Sequence, residues 1–192
     1  MSESLKFLTA FLRNPNSIGA VTPSSRRLAK AMTRQMGIHE ANVVVELGPG
    51  TGAFTSTILD EMRPQGHYLA VELNEDFARR LTQKHPGLDI VVGSAEKLDV
   101  HLERFALKHA DSVICGLPWA AFRAELQESI MKSVVRSLPE GGRFATFAYI
   151  HSMWFPAARR FRHLLEANFQ SVETSPIIWR NLPPAFVYRC SK

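Results

Sequence analysis

Cysteine is scarce in this chain: Cys115 and Cys190 are the only two. Neither stands in a C-x-x-C pair or in the spacing of a zinc ligand set, so a disulfide framework and a thiolate metal centre are excluded and no metal is expected. Long apolar runs are missing as well. The longest uncharged stretch, Phe144 to Ala158, has 15 residues and contains His151, Ser152 and Pro156. That is too short and too interrupted for a bilayer span of about 20 residues. Glu3 precedes the first apolar run with no small-residue cleavage site after it, so a secretory leader is not expected. Internal repeats and low-complexity tracts are absent, which excludes solenoids and disordered linkers. The expectation is a cytoplasmic protein with reduced thiols.

What is present is enough for one well-buried domain: 192 residues, 45% of them hydrophobic. The net charge of +5 conceals a segregation. Residues 1–34 carry +5, residues 35–142 carry −5 and residues 143–192 carry +5. Basic ends suit an anionic surface, either phosphate backbone or lipid headgroups. Residues 3–13 read as a short helix with a broad apolar face of Leu5, Phe7, Leu8, Phe11 and Leu12, suited to packing on a core or lying in a membrane interface. Residues 1–36 are thus expected to form helices that face membrane and substrate, and residues 37–192 a separate core.

Within that core, strands and helices alternate. Strands are expected at 43–45, 67–72, 88–92, 112–115 and 143–149, with helices at 54–62, 74–85, 121–137 and 156–168. Two late strands, 171–179 and 185–190, close the set. Alternation of this kind implies a parallel, doubly wound sheet that binds ligands at the carboxyl ends of its strands.

The most informative segment is Val43 to Thr55, VVVELGPGTGAFT. A β-branched run reads as a strand buried on both faces, and Gly48, Gly50 and Gly52 let the following turn approach a ligand closely. The helix is expected to resume at Ala53, capped by Thr51 or Gly52. The spacing also satisfies the dinucleotide pattern. Glu46 argues otherwise, because a carboxylate would repel a pyrophosphate and hold a cationic ligand. Twenty residues after Gly52 comes Glu72, followed by Leu73, at the spacing where a carboxylate accepts from ribose hydroxyls.

The run ELGPGTG resembles the first motif of class I S-adenosylmethionine-dependent methyltransferases. That resemblance implies a single Rossmann-like α/β domain with a mostly parallel seven-stranded sheet, helices on both faces and an N-terminal helical extension. It also implies that Glu46, Gly48, Gly50, Gly52, Glu72 and Leu73 hold S-adenosylmethionine, leaving S-adenosylhomocysteine as product. Gly93-Ser94-Ala95-Glu96 resembles the loop that packs the adenine, with Ser94 or Glu96 bonding its exocyclic amine. Cys115-Gly116-Leu117-Pro118-Trp119 resembles the Asn-Leu-Pro-Tyr tetrapeptide of adenine amino-methyltransferases, but Gly116 lacks the side-chain acceptor.

The flanks Phe11-Leu12-Arg13-Asn14-Pro15, Gly19-Ala20-Val21-Thr22-Pro23-Ser24-Ser25 and Trp179 to Arg189 (WRNLPPAFVYR) resemble bacterial phospholipid N-methyltransferases of the soluble, membrane-associating type. The resemblance implies successive methylation of phosphatidylethanolamine towards phosphatidylcholine by a protein peripheral to the inner face of the cell membrane. Catalytic positions are then Gly116, Leu117, Trp119 and Tyr149, the last as the best-placed base. Trp119, Tyr149, Trp154 and Tyr188 are candidates to face the growing methylammonium. Arg180, Asn181, Arg189, Arg26 and Tyr188 are candidates for the lipid headgroup, and Arg159, Arg160 and Arg162 for the membrane surface. A monomer that does not bind nucleic acid is expected. The alternatives are an rRNA adenine N6-dimethyltransferase, a non-catalytic membrane-binding module of the same fold and, more remotely, a nicotinamide oxidoreductase.

Overall fold

The computed structural model describes residues 24–192. Its strands are β1 (Val43–Leu47), β2 (His67–Glu72), β3 (Asp89–Val92), β4 (Ser112–Cys115), β5 (Arg143–Tyr149), β6 (Ser171–Thr174) and β7 (Ala185–Ser191). Its α-helices are α1 (Arg26–Thr33), α2 (Thr55–Glu61), α3 (Glu75–Lys84), α4 (Leu98–Arg104), α5 (Ala124–Ser137) and α6 (Pro156–Asn168). One seven-stranded sheet runs in the order β3-β2-β1-β4-β5-β7-β6. The first five strands are parallel, and β7 lies antiparallel to both of its neighbours.

The two-residue period of a strand sends successive side chains to opposite faces, and each face has its own apolar layer. Val43, Val45 and Leu47 enter a cluster with Leu98 and Leu102 of α4, Ile130 and Val134 of α5, and Phe161 and Leu165 of α6. Val44 enters the other, with Leu28 and Met32 of α1, Ile58 of α2 and Leu81 of α3. Helices on both faces explain why every residue of β1 is buried. Strand order reverses between β1 and β4, which opens a crevice at their carboxyl ends.

Local chemistry sets the helix starts. Ser25 Oγ accepts from Leu28 N–H at the head of α1, and Asn74 Oδ1 accepts from Asp76 and Phe77 N–H at the head of α3. Pro156 occupies the first turn of α6, where a missing N–H costs nothing. Helix α2 begins at Thr55, later than expected, with Phe54 at its cap and no side-chain hydrogen bond there. Helix α4 was not foreseen; Leu98 and Leu102, one turn apart, bury its inner face, and Leu98 N–H donates to Ser133 Oγ. Strand β6 stops at Thr174 rather than 179, leaving residues 175–184 as a loop with one bridge, Ile178 to Ala185. Helix α1 shares its apolar cluster with β1, β5 and β7, so the described part of the expected N-terminal unit packs within the core. Residues 3–13 lie outside the described residues.

Candidate active site

The carboxyl ends of β1, β2, β3 and β4 bring four loops to one rim. After β1 the chain turns at Gly48, whose φ of +67° suits glycine, and a Cβ there would lie 2.6 Å from Leu117 Cδ2. The ladder continues past the strand ends: Gly48 N–H donates to Val71 O, Gly93 N–H to Glu72 O and Gly116 N–H to Leu47 O, all at 2.8–2.9 Å. Gly116 therefore sits directly against the glycine turn, and a Cβ on it would lie 2.7 Å from Gly48 O. Where the related tetrapeptide carries asparagine, this chain has no room for any side chain.

Glu72 is buried at the centre of the rim. Its carboxylate accepts from Gly50 N–H and from Asn74 N–H, each at 2.9 Å, which fixes both oxygens beside the glycine turn. Burial raises its pKa, and the backbone N–H bonds oppose that rise. After β3, Ser94 Oγ accepts from Glu96 N–H and donates to Glu96 Oε2, so Ser94, Ala95 and Glu96 form a compact turn. Beneath it stands His101, unremarked in the sequence. Its Nε2 pairs with Ser94 O at 3.1 Å, and its ring fills the space a Cβ on Gly93 would need. Burial lowers the His101 pKa, which keeps the imidazole neutral. The only sequence signal was a histidine eight residues beyond a strand-end glycine.

Glu46 is fully buried, on the side of α1 to α3, with its Oε2 accepting from Thr55 Oγ1 at 2.7 Å and from the Tyr68 hydroxyl. Its Oε1 is buried without a hydrogen-bond partner. Burial pushes its pKa up to about 7, against the hydrogen bonds from Tyr68 and Thr55, with Glu72 adding a small rise. Through Thr55 and Tyr68, Glu46 ties the start of α2 to β2 under the glycine turn. The donor set fits the cationic amino-acid end of S-adenosylmethionine, because an unpartnered carboxylate oxygen lies at the foot of a turn kept open by glycines. Glu72, with Leu73 beside it, would meet the ribose, and Ser94 to Glu96 the adenine. Among the described residues no cluster of three metal-binding side chains occurs.

The residues expected to act on the methyl acceptor divide. Tyr149 ends β5 half-buried, edge-on to Phe147 and stacked on His151 at 5.6 Å. Phe147 in turn meets Phe54 edge-on, so an aromatic row runs from the glycine turn to the rim. Burial raises the Tyr149 pKa, which disfavours its phenolate form. Trp119 does not face the crevice. Its ring stacks on Phe161 at 4.2 Å, its N–H donates to Thr146 Oγ1 and its carbonyl accepts from Gln127. Tyr188 is likewise enclosed, between Phe161 and Phe186. Leu117 is buried against the turn, and Trp154 stands outside on a loop.

The headgroup candidates divide too. Asn181 is buried; its Oδ1 accepts from Ser25 N–H and its Nδ2 donates to Pro183 O, which clasps the head of α1 to the 175–184 loop. That clasp carries Arg26 and Arg180, both exposed, to the same rim as Tyr149. Arg189 lies four residues down β7 from the rim and donates to Ala31 O, so it braces α1 and does not reach the crevice. Arg162 pairs with Glu166 at 2.9 Å. Among the described residues no helix is long and apolar enough to cross a membrane.

Comparison with known proteins agrees with this geometry. Residues 44–142 match the methyltransferase domain family. The chain is 32% identical over 193 residues to an ornithine lipid N-methyltransferase from Singulisphaera acidiphila, covering 99% of this chain and 96% of that protein. It is 32% identical over 95 residues to ribosomal RNA small subunit methyltransferase A from Chlorobaculum tepidum, covering 50% of this chain but 33% of that protein. Among solved structures, an O-methyltransferase from Bacillus cereus in complex with SAH superposes with a TM-score of 0.68 at 12% identity, over 100% of this chain and 92% of that one. The strand order, the glycine turn and these likenesses together make the chain a member of the methyltransferase domain family, a class I enzyme whose methyl donor is S-adenosylmethionine.

Proposed function

We propose that this enzyme methylates the primary amine of a membrane aminolipid, with phosphatidylethanolamine as substrate and phosphatidylcholine as the end of successive transfers. The observation that supports the reading is the likeness to a lipid N-methyltransferase over 99% of this chain and 96% of that protein, whereas the likenesses to ribosomal RNA methyltransferase A span 41–71% of this chain and at most 45% of those proteins. The donor supplies an activated methyl on a sulfonium. Each transfer would form an N–C bond from an amine lone pair as the S–C bond breaks, the lone pair being freed beforehand by loss of an ammonium proton to water. The chain's own residues then have to align and desolvate. Reacting atoms held about 3–3.5 Å apart recover much of the barrier as prepaid entropy. The Phe54, Phe147 and Tyr149 row offers the amine an apolar approach that favours its neutral form, and offers the methylated product aromatic faces. Arg180 and Arg26, held by the Asn181 clasp, are placed to receive the lipid phosphate.

In this reading the protein works as a monomer peripheral to the inner membrane face, drawn there by its basic ends and by residues 3–13. A second reading replaces phosphatidylethanolamine by ornithine lipid, favoured by the name of the full-length relative. Adenine in RNA is disfavoured, since Gly116 offers no side-chain acceptor and the Trp119 ring is not free to stack on a base. Purified protein with labelled S-adenosylmethionine is tested on vesicles of phosphatidylethanolamine, vesicles of ornithine lipid, and ribosomal RNA. Mono-, di- and trimethylated phosphatidylethanolamine is expected. Intact donor binding with no labelled lipid overturns the proposal: label on the RNA then leaves the RNA reading, and no label at all leaves the non-catalytic module.

A further inference from the structure

Among the described residues, three large apolar side chains are more than two-thirds exposed: Trp154 at 83%, Leu182 at 73% and Trp179 at 71%. All three occupy two loops at one end of the sheet. Trp154 ends the short 3-10 helix Ile150–Trp154 that follows β5, between the half-exposed Met153 and Phe155, and Trp179 and Leu182 lie in the 175–184 loop before β7. The two loops rise side by side. Tyr149 pairs with Ala185, Ile150 N–H donates to Pro184 O, and Ile178 N–H donates to Ala185 O. Since β5 is parallel to β1 and β4, this end is the rim of the active site.

Along the chain segments that carry these loops the charge has one sign. No acidic residue occurs from 141 to 165 or from 174 to 192, whereas Arg159, Arg160 and Arg180 flank the aromatic tips and are exposed. A soluble protein gains nothing by holding two tryptophans in water at loop tips. An amphipathic ring beside arginines matches one environment well: the headgroup layer of an anionic bilayer, where the indole buries its body, keeps its N–H wet, and the guanidinium groups meet lipid phosphate.

We infer that the 150–155 and 175–184 loops form a docking crest, with Trp154 and Trp179 as wedges, that seats the active-site rim on an anionic lipid surface. The crest rests on the aminolipid reading only for the identity of that surface. It sets the crevice directly over the headgroup layer, so that a lipid amine reaches Tyr149 without leaving the membrane.

The test uses the full chain with vesicles of phosphatidylcholine alone and of phosphatidylcholine mixed with phosphatidylglycerol. Sedimentation with the mixed vesicles and a blue shift of tryptophan emission are expected for the wild type; Trp119 is already buried and contributes none of the shift. Trp154→Ser and Trp179→Ser should each lower vesicle partition about tenfold, and Arg159→Gln with Arg160→Gln should weaken it selectively on the anionic vesicles. S-adenosylhomocysteine affinity should be unchanged in every variant, which certifies the fold. A double tryptophan variant that sediments as the wild type does overturns the crest, even where the wild type methylates lipid. A wild type that docks through these tryptophans yet labels no lipid removes the aminolipid reading and leaves the crest standing. Emission that does not move on adding vesicles, or a wild-type dimer that the double variant dissociates, assigns the crest to residues 1–23 or to a second copy and overturns the lipid assignment.

Discussion

Gly116→Ala is the sharpest perturbation the site allows, because one methyl group tests whether the donor turn and the acceptor loop share a wall. The new Cβ would meet Gly48 O at 2.7 Å, when ordinary contact begins near 3.4 Å. A displacement of about 0.7 Å is therefore required, and neither partner is a pliable side chain. Gly116 is tied to Leu47 O at 2.8 Å and Gly48 to Val71 O at 2.9 Å, so the strain falls on backbone already engaged in the ladder. Overpacking of this kind costs about 1–3 kcal/mol. For a chain of this size each kcal/mol lowers the melting temperature by about 2–4 °C, so a fall of about 2–12 °C is expected by differential scanning calorimetry. Because the displaced atom belongs to the donor turn, S-adenosylhomocysteine should bind about tenfold more weakly by titration calorimetry, the equivalent of about 1.4 kcal/mol. Gly116→Asn, which supplies the first residue of the related tetrapeptide, should do more damage and confer no labelling of RNA. A Gly116→Ala protein with unchanged affinity and a melting temperature within about 1 °C of the wild type would refute the shared wall.

Glu46 predicts a pH dependence of stability. Its pKa is about 7 in the fold against 4.5 in the unfolded chain, so the native state keeps a proton that the unfolded state releases, and stability falls as pH rises from 4.5 through 7. The loss is on the order of 3 kcal/mol by pH 8; urea titrations across that window should show it, and Glu46→Gln should flatten the slope. A wild-type profile already flat there removes the argument. Asn181→Ala strands the Ser25 N–H and frees the 175–184 loop, costing about 1–3 kcal/mol; it should raise KM for the lipid while leaving donor affinity alone, and a loss of donor affinity would mean the clasp serves the wrong half of the site.

The alternation of strands and helices was open to sequence reading because the patterns were strong: β4, β5 and α6 have the ends that their β-branched runs, glycines and Pro156 suggest. Helix α4 escaped because LDVHLER offers only two apolar residues a turn apart, and its stability comes from Ser133 and α5, which are distant in sequence. The donor half of the site was legible for a simple reason: strand-end glycines and carboxylates act through backbone geometry that spacing encodes. The acceptor half was not. Trp119, Asn181, Tyr188 and Arg189 have side chains suited to a headgroup, but their direction depends on the register of β7 against β5 and on whether α6 covers them. Gly116 looked like a missing acceptor until the approach of Gly48 O explained it.

The arrangement of the sheet divides the molecule into parts that can be exchanged separately. The residues that fit the donor hang from β1 to β4, and the 175–184 segment leaves and re-enters through the antiparallel β6 and β7, which reach β1 only through β5 and β4. A loop anchored at its own base can lengthen, shorten or be replaced without rethreading the donor crevice. Diversification of acceptors in such a scaffold, by evolution or by grafting, therefore has an address in that hairpin, and the donor half can remain as it is.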